Sequence, residues 1–187
     1  AVNGKYKLSQ ISNVIQNSIS RYYTINSKSK KSNYENQYFT FNIDVKDSPI
    51  LFKLIPELKS LEPMNFSGKY NSVNDTLVFQ GSIPRMVYGD NKISGAVFKI
   101  ETKDNSLVYN FIIGAIENTN FQLPYTSLSG KAENNILDYK LQLKDFKDKE
   151  RYLIAGNLKS NYGNSEIKLD PANLILNYEA WNLSEEN

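Results

Sequence analysis

The side chains most able to do chemistry in this sequence are carboxylates, lysines and hydroxyls, because the chain has no histidine and no cysteine. That absence removes disulfides, Cys/His zinc sites, thiol nucleophiles and every Ser-His-Asp arrangement. The densest mixture of carboxylates and lysines is the run DFKDKE from Asp145 to Glu150. Acid–base or cation chemistry there would need a regular spacing of carboxylate ligands or flanking glycine, and the run has neither. We therefore predict a hairpin turn at this position.

The remaining candidates for chemistry are also interpreted as turns. The segments 89–91 and 104–105 combine Gly, Asp and Asn as hairpin turns do, and cation binding is the lesser alternative. Serine and threonine are plentiful, but no histidine is available to activate one as a nucleophile. The nine glycines are scattered, so no phosphate-binding loop is predicted. We expect no catalytic residue, no metal site and no cofactor, and an enzyme is the weakest of three functional interpretations.

The charge distribution favours no polyanionic partner. The net charge is +2, so binding to nucleic acid is not predicted. Basic residues are concentrated near the N-terminus, where no acidic residue precedes Glu35; they are Lys5, Lys7, Arg21, Lys28, Lys30 and Lys31. A contact with an anionic membrane surface is one interpretation. A solvated helix face followed by a charged loop is the other, and we favour it because local charge runs are usually solvated.

Most of the chain alternates apolar and polar residues with a period of two, which is typical of strands with one apolar face. Short polar connectors separate the alternating stretches at 71–75, 89–92, 103–105, 133–135, 162–164 and 170–173. Strands joined so tightly must be antiparallel neighbours. The sequence therefore predicts a mainly β fold, a long antiparallel meander of about ten strands, which is wide enough to curl rather than stay flat.

Two segments have helical spacing instead. Apolar residues at intervals of three and four predict an amphipathic helix over about 7–23. Ser48 before Pro49 is a good helix start, and an apolar stripe continues to Leu61, so we predict a helical insert over about 49–62, kinked or divided at Pro56. We expect a single module over 1–187: a helix with a mobile basic loop over 1–36, and a curled sheet over 37–187.

The alternation places many apolar side chains on one face of the predicted sheet, and something must cover them. One possibility is a filled core, in which a closed barrel or a sandwich has the helices as a lid. The other is a curled, incompletely closed sheet whose apolar groove holds lipid chains. The residues predicted to line that groove are Phe39, Phe41, Ile43, Phe66, Leu77, Phe79, Ile83, Ala96, Phe98, Ile100, Tyr109, Phe111, Ile113, Leu128, Tyr139, Leu141, Tyr152, Ile154, Leu174 and Leu176.

A series of short patterns in a fixed order carries a family resemblance. The clearest are at 47–58, 66–71 (FSGKYN), 127–130 (SLSG), 151–156 (RYLIAG) and 174–181 (LILNYEAW). Together they resemble the TamB family, the translocation and assembly module subunits of Gram-negative bacteria, and its AsmA-like relatives. The likeness covers about 47–181, and no single motif in it is specific.

The resemblance implies an internal or C-terminal slice of a longer chain, built as a taco-like, partly open β-sheet with a hydrophobic interior. Members of the family are anchored in the inner membrane and cross the periplasm. They cooperate with an outer-membrane barrel of the Omp85 class (TamA-like). The implied partners here are phospholipid acyl chains, such a barrel and neighbouring modules of the same chain. The family has no catalytic residues to transfer.

We therefore expect a non-enzymatic periplasmic module whose groove shelters lipid acyl chains and supports phospholipid transport between the two membranes and outer-membrane biogenesis. The alternative is a chaperone or assembly module that helps to insert outer-membrane proteins by pairing an edge strand with a barrel partner.

Overall fold

The computed structural model describes residues 1–24, 34–161 and 164–183, and within them the chain forms one large antiparallel sheet. Two helices accompany the sheet: α1 (Ile11–Ile19), preceded by a 3-10 turn (Leu8–Gln10), and α2 (Pro49–Leu54). The strands are β1 (Val2–Lys5), β2 (Tyr38–Val45), β3 (Leu58–Leu61), β4 (Met64–Asn71), β5 (Thr76–Tyr88), β6 (Asn91–Lys103), β7 (Ser106–Ile113), β8 (Ala115–Glu117), β9 (Gln122–Leu123), β10 (Thr126–Glu133), β11 (Ile136–Lys144), β12 (Glu150–Asn161), β13 (Asn164–Leu176) and β14 (Glu179–Ala180).

The strand order follows the chain almost without interruption. It runs β1-β2-β4-β5-β6-β7-β10-β11-β12-β13-β14, and every pairing is antiparallel. The path begins at β1 and ends at β14 without joining them, so the sheet is not closed. The short strand β3 pairs with the last residues of β5, and β8 pairs with the first residues of β6. The predicted mainly β, partly open antiparallel meander is thus confirmed.

Tight hairpins set the register of the sheet. Asp104 and Asn105 have positive φ angles of 50° and 59°, and Asn134 and Asn135 have 51° and 63°. Two consecutive left-handed residues match the twist of the strands that they join, and Asn and Asp tolerate that conformation best. The predicted connectors at 103–105 and 133–135 are confirmed.

The two ends of the strands, the covered end and the open end, carry different connections. The covered end carries the β4–β5, β6–β7 and β10–β11 turns, and α1 lies across it. The open end carries α2, the β5–β6 turn, the β8–β9 turn and the β11–β12 turn. Antiparallel pairing places these two groups of connections at opposite ends of the strands.

The main core lies between α1 and the sheet at the covered end. Val14, Tyr22 and Tyr23 are buried against apolar side chains from many strands; the buried members are Phe39, Tyr70, Leu77, Leu107 and Ala132, and Leu137 and Leu158 pack at their margin. These residues belong to β2, β4, β5, β7, β10, β11 and β12. Side chains from seven strands can join one cluster with α1 and the tyrosines that follow it only if the sheet curls around them.

The predicted helices are both present but shorter than expected. The first is helical over 8–19 rather than 7–23. The second ends at Leu54, and the rest of the predicted insert over 49–62 is wrong, because Leu58–Leu61 is strand β3. Leu58 and Leu61 are three residues apart, as on a helix face, but a bulge between Leu58 and Ser60 turns both to the same side of the strand.

Two further details differ from the sequence interpretation. Strand β1 was not predicted, and residues 170–173 form an irregularity within the continuous strand β13 instead of a turn. The mobile basic loop predicted within 1–36 and the connector at 162–164 lie largely outside the described residues, and so do Lys28, Lys30 and Lys31.

Candidate functional site

The strand register brings the twenty predicted groove residues to one face of the sheet. Residues directly opposite each other on antiparallel strands point to the same side. Phe98, for example, is opposite Gly81 on one neighbour and Phe111 on the other, and Phe111 is opposite Leu128. The same relation continues through Leu141, Ile154 and Leu174. We call this side the inner face, because α1 packs against it and the sheet curls around α1.

Aromatic rings form a continuous row on the inner face between β2 and β6. The ring centroids of Phe39 and Phe41 are 6.4 Å apart, those of Phe41 and Phe79 5.9 Å, and those of Phe79 and Phe98 5.2 Å. Phe66 extends the row, with its centroid 5.7 Å from that of Phe98. These separations are typical of tilted and offset ring pairs, which stabilise the row beyond simple area burial.

Glycines on the inner face let these rings lie close to the backbone. Gly81 is opposite both Phe66 and Phe98, and a Cβ atom at Gly81 would lie 2.5 Å from Cζ of Phe98 and 2.6 Å from Cδ1 of Phe66. Gly130 is likewise opposite Tyr109 and Tyr139. Rings that lie over glycine allow the sheet to bend toward its inner face.

Coverage of the inner face is uneven: it is complete beneath α1, and Ala96 and Leu174, which lie outside the cluster around α1, are buried as well. Phe39 and Leu77 are buried beneath α1. Phe79, Phe98 and Phe111, farther from the helix, are only half-buried. Two of the predicted groove residues, Ile43 and Leu128, are exposed. The helix therefore closes one end of the inner face and leaves the aromatic row partly accessible.

Helix α1 is held to the sheet by buried hydroxyl groups. The Oγ of Ser18 and the hydroxyl of Tyr70 are 3.0 Å apart, and the Tyr70 hydroxyl also donates to the backbone oxygen of Val14 at 3.3 Å. Ser18 and Tyr70 are both buried, so each polar group has a partner where water cannot reach it. Burial is the main reason that the pKa of Tyr70 lies above its usual value.

The segment after α1 is fastened to two hairpin turns. The Tyr22 hydroxyl donates to Oδ2 of Asp75 at 2.8 Å, and Arg21 lies 3.1 Å from Oδ1 of the same carboxylate. In the β10–β11 turn, Asn135 accepts from the backbone nitrogen of Thr24 at 2.8 Å through Oδ1. Its own backbone nitrogen donates to the Tyr22 carbonyl at 2.9 Å.

Two tyrosines near the inner face have strongly raised pKa values. Burial, helped by the hydrogen bond to Asp75, raises the pKa of Tyr22 to about 12. Burial also raises the pKa of Tyr109 to about 12; its hydroxyl donates to the Asp138 carbonyl at 2.8 Å. Both hydroxyls donate hydrogen bonds, and their raised pKa values keep them protonated to a higher pH than a free tyrosine.

Several inner-face residues were missing from the predicted groove set. They are Tyr70, Leu107, Ala132, Leu137 and Leu158. All five continue the same period-two alternation, and register places each on the inner face. The alternation could have identified these five residues. The sequence did not show that α1 would cover the part of the inner face on which they lie.

The charged run at 145–150 forms the turn that was predicted for it. The carboxylate of Asp145 accepts from the backbone nitrogens of Lys147 and Lys149 at 2.8 Å and 3.0 Å. The hydrogen bond from Lys149 is the main reason that the pKa of Asp145 is lowered. The ammonium group of Lys149 also lies 5.0 Å from the ring centroid of Tyr178. The run thus has a structural task in joining β11 to β12.

Within residues 1–24, 34–161 and 164–183, no group of three or more acidic side chains is placed to hold a metal ion. None of the helices in the described part of the chain is long and apolar enough to cross a membrane. Comparison of the chain with protein-family models, curated proteins and solved structures found no match, so the resemblance to the TamB family stays a prediction.

Proposed function

We propose that this chain shelters lipid acyl chains on the uncovered part of its inner face, as a non-enzymatic module in phospholipid transport and outer-membrane biogenesis in the periplasm. The single observation that carries the proposal is the half-buried part of the inner face at Phe79, Phe98 and Phe111, which lie outside the cluster around α1. A family resemblance in the sequence supports the cellular setting, with an Omp85-class barrel and neighbouring modules as partners.

The chemistry of the inner face suits a flexible apolar ligand. None of its twenty predicted residues carries a charge, and they extend across the strands from β2 to β13. Each methylene group moved from water to such a surface gains about 0.8 kcal/mol. A surface of uncharged side chains offers an acyl chain no ionic contact at a fixed point, so a bound chain can shift along the inner face.

Lipid content is the direct test. We expect phospholipid to be found by mass spectrometry after organic extraction of the protein purified from cells. Phe98→Asp should lower the bound lipid at least about tenfold, because a charge facing an acyl chain must be desolvated. The matched control is Val97→Asp on the next residue, whose side chain points to the outer face and is 49% exposed; it should leave the lipid content unchanged.

A second variant separates a groove from a filled core. Leu128 lies on the inner face and is exposed, so Leu128→Trp adds volume without opening a cavity. A larger ring there should reduce lipid binding while leaving the unfolding transition in place. A folded wild-type protein free of lipid, together with Phe98→Asp protein that only unfolds, would favour the filled core.

One observation favours the alternative of edge-strand pairing in assembly. Strand β13 pairs with β12 on one side, and on the other side the described residues cover only its end, at Leu174, Ile175 and Leu176. Backbone groups of successive residues point to opposite edges of a strand, so one of Ile167 and Lys168 points outward. If this edge binds a client strand, proline at whichever of these two residues points outward should abolish client binding and leave the lipid content unchanged. Proline at the other residue should instead weaken the pairing of β12 with β13.

A further inference from the structure

The open end of the sheet exposes large apolar side chains on connections that are far apart in the sequence. In α2, Ile50 is 69% exposed and Leu54 75% exposed. In the β11–β12 turn Phe146 is 69% exposed, and beside β14 Trp181 is 52% exposed. Phe121, in the β8–β9 turn, is exposed as well. Among the described residues, the covered end exposes fewer such side chains, Leu8 and Val73, and its β6–β7 and β10–β11 hairpins turn on Asp and Asn.

These side chains are not needed to form the elements that carry them. Helix α2 buries none of its six residues in the described structure. The β11–β12 turn is made by the Asp145 carboxylate and the backbone nitrogens of Lys147 and Lys149, and Phe146 takes no part in it. Exposed apolar side chains that gather at one end of a molecule, as these do, are typical of surfaces that contact another protein or a membrane.

The charges on the same connections cancel. Around α2, Lys46 and Lys53 balance Asp47 and Glu57. The β11–β12 connection carries three basic and three acidic residues over 145–151, and the segment 118–125 carries no charge. Electrostatic complementarity therefore favours a neutral surface over a polyanionic one.

We propose that the open end is a docking rim that inserts Ile50, Leu54 and Phe146 into the interface of an electrically neutral, zwitterionic lipid bilayer. A protein partner would require a continuous fitted patch of about 800 Å² on each side. Single apolar residues on separate connections, next to lysines and with Trp and Tyr nearby, suit a fluid interface instead.

This inference rests on the proposed function and specifies where the ligand enters. The inner-face residues nearest the rim include Ile43, which is exposed, and Phe66, which is half-buried. They connect the rim to the aromatic row through Phe98. A lipid that leaves the bilayer at the rim would thus pass directly onto the inner face.

The single tryptophan makes the test direct, because Trp181 lies beside the rim. With the full chain and vesicles of phosphatidylcholine, we expect flotation with the vesicles, a blue shift of the Trp181 emission and little change between low and high salt. Phe146→Ser and Leu54→Ser should each weaken vesicle binding at least about tenfold. Val73→Ser is the matched control, since Val73 is also 69% exposed but lies in the β4–β5 turn at the covered end.

The results that would overturn the inference are distinct. The first is a wild-type protein that does not float with the vesicles, and the second is a Val73→Ser variant that loses vesicle binding as strongly as Phe146→Ser. The third is self-association of the wild type that Phe146→Ser abolishes, because the rim would then be a contact between copies of the chain. Binding of a soluble fluorescent fatty acid separates the two proposals. Fatty-acid binding without vesicle binding overturns the rim alone, whereas vesicle binding without fatty-acid binding overturns the sheltering function and leaves the rim as a membrane-binding surface.

Discussion

Gly68 on β4 lies directly beneath the ring of Phe41 on β2, so close that a Cβ atom at this position would stand 2.6 Å from Cζ of the ring. Real Cβ contacts of that length do not occur, so the ring, together with the Val78 carbonyl oxygen at 2.7 Å, occupies the space that any other residue would need. The same glycine is opposite Phe79 on its other side. The strand thus has no side chain of its own at this point, and rings from both neighbours cover it.

Substituting this glycine should therefore destabilise the protein. Gly68→Ala forces the Phe41 ring or the strand to move, and overpacking of this kind costs about 1–3 kcal/mol. Urea unfolding followed by circular dichroism measures the loss. In a Phe41→Ala background the same substitution should cost less unfolding free energy, because the ring is gone. Equal losses in the two backgrounds would show that the Phe41 ring is not the obstacle.

The ion pair and hydrogen bond at Asp75 should hold the segment after α1. Asp75→Asn keeps a side chain that tolerates the φ angle of 55°, but it removes the charge that faces Arg21 and the Tyr22 hydroxyl. We expect a loss of about 1–2 kcal/mol in unfolding free energy and faster proteolysis near the N-terminus. Asp104→Asn is the control in an exposed turn with a similar φ angle, and a comparable loss there would assign the effect to turn chemistry.

Adjacent asparagines in the β10–β11 turn should differ in their contribution. Both have positive φ angles, which glycine adopts freely. Asn135→Gly removes the acceptor for Thr24 and the donor to the Ser160 carbonyl, whereas Asn134 is exposed. Differential scanning calorimetry should show a lower melting temperature for Asn135→Gly, with a loss of about 1–2 kcal/mol. Asn134→Gly should melt close to the wild type, and two equal decreases would refute a specific role for Asn135.

Alkaline pH should weaken the protein through its buried phenols. The pKa of Tyr22 rises from 10.0 to about 12 on folding, so its stabilising contribution is complete below pH 10 and disappears as the pH rises through 12. Each such phenol contributes at most about 2–3 kcal/mol of this dependence. Unfolding free energies measured between pH 8 and about 12 should fall less steeply for Tyr22→Phe than for the wild type. Tyr38→Phe, at an exposed position, should retain the full slope.

The sequence predicted the sheet well because one physical signal decided it. Alternation assigned residues such as Phe79, Leu141 and Ile154 to one face, and the register agrees at each of them. Asn and Asp pairs marked the hairpins because few other residues accept a left-handed backbone.

What the sequence did not reveal depends on contacts between distant segments. The spacing of Leu58 and Leu61 suggested a helix because a bulge imitates helical periodicity, and only the pairing with β5 distinguishes the two. Strand β1 is short and polar at Asn3 and Lys5, so it takes its structure from β2. The extent of the accessible face could not be predicted either, since it is set by where α1 docks on Tyr70 and where the segment after it is fastened to Asp75 and Asn135.

The bond between Thr24 and Asn135 also has a consequence for the order of folding. It joins residues 111 positions apart, whereas each hairpin of the meander joins close neighbours. Loop-closure entropy delays the first kind of contact and hardly affects the second. During synthesis from the N-terminus, α1 and the segment after it can meet Tyr70 and Asp75 early, but Thr24 cannot bond to Asn135 until the β10–β11 turn has emerged, so the inner face of the strands added in between stays unshielded for longer. We expect the nascent chain to be at its most aggregation-prone in that interval.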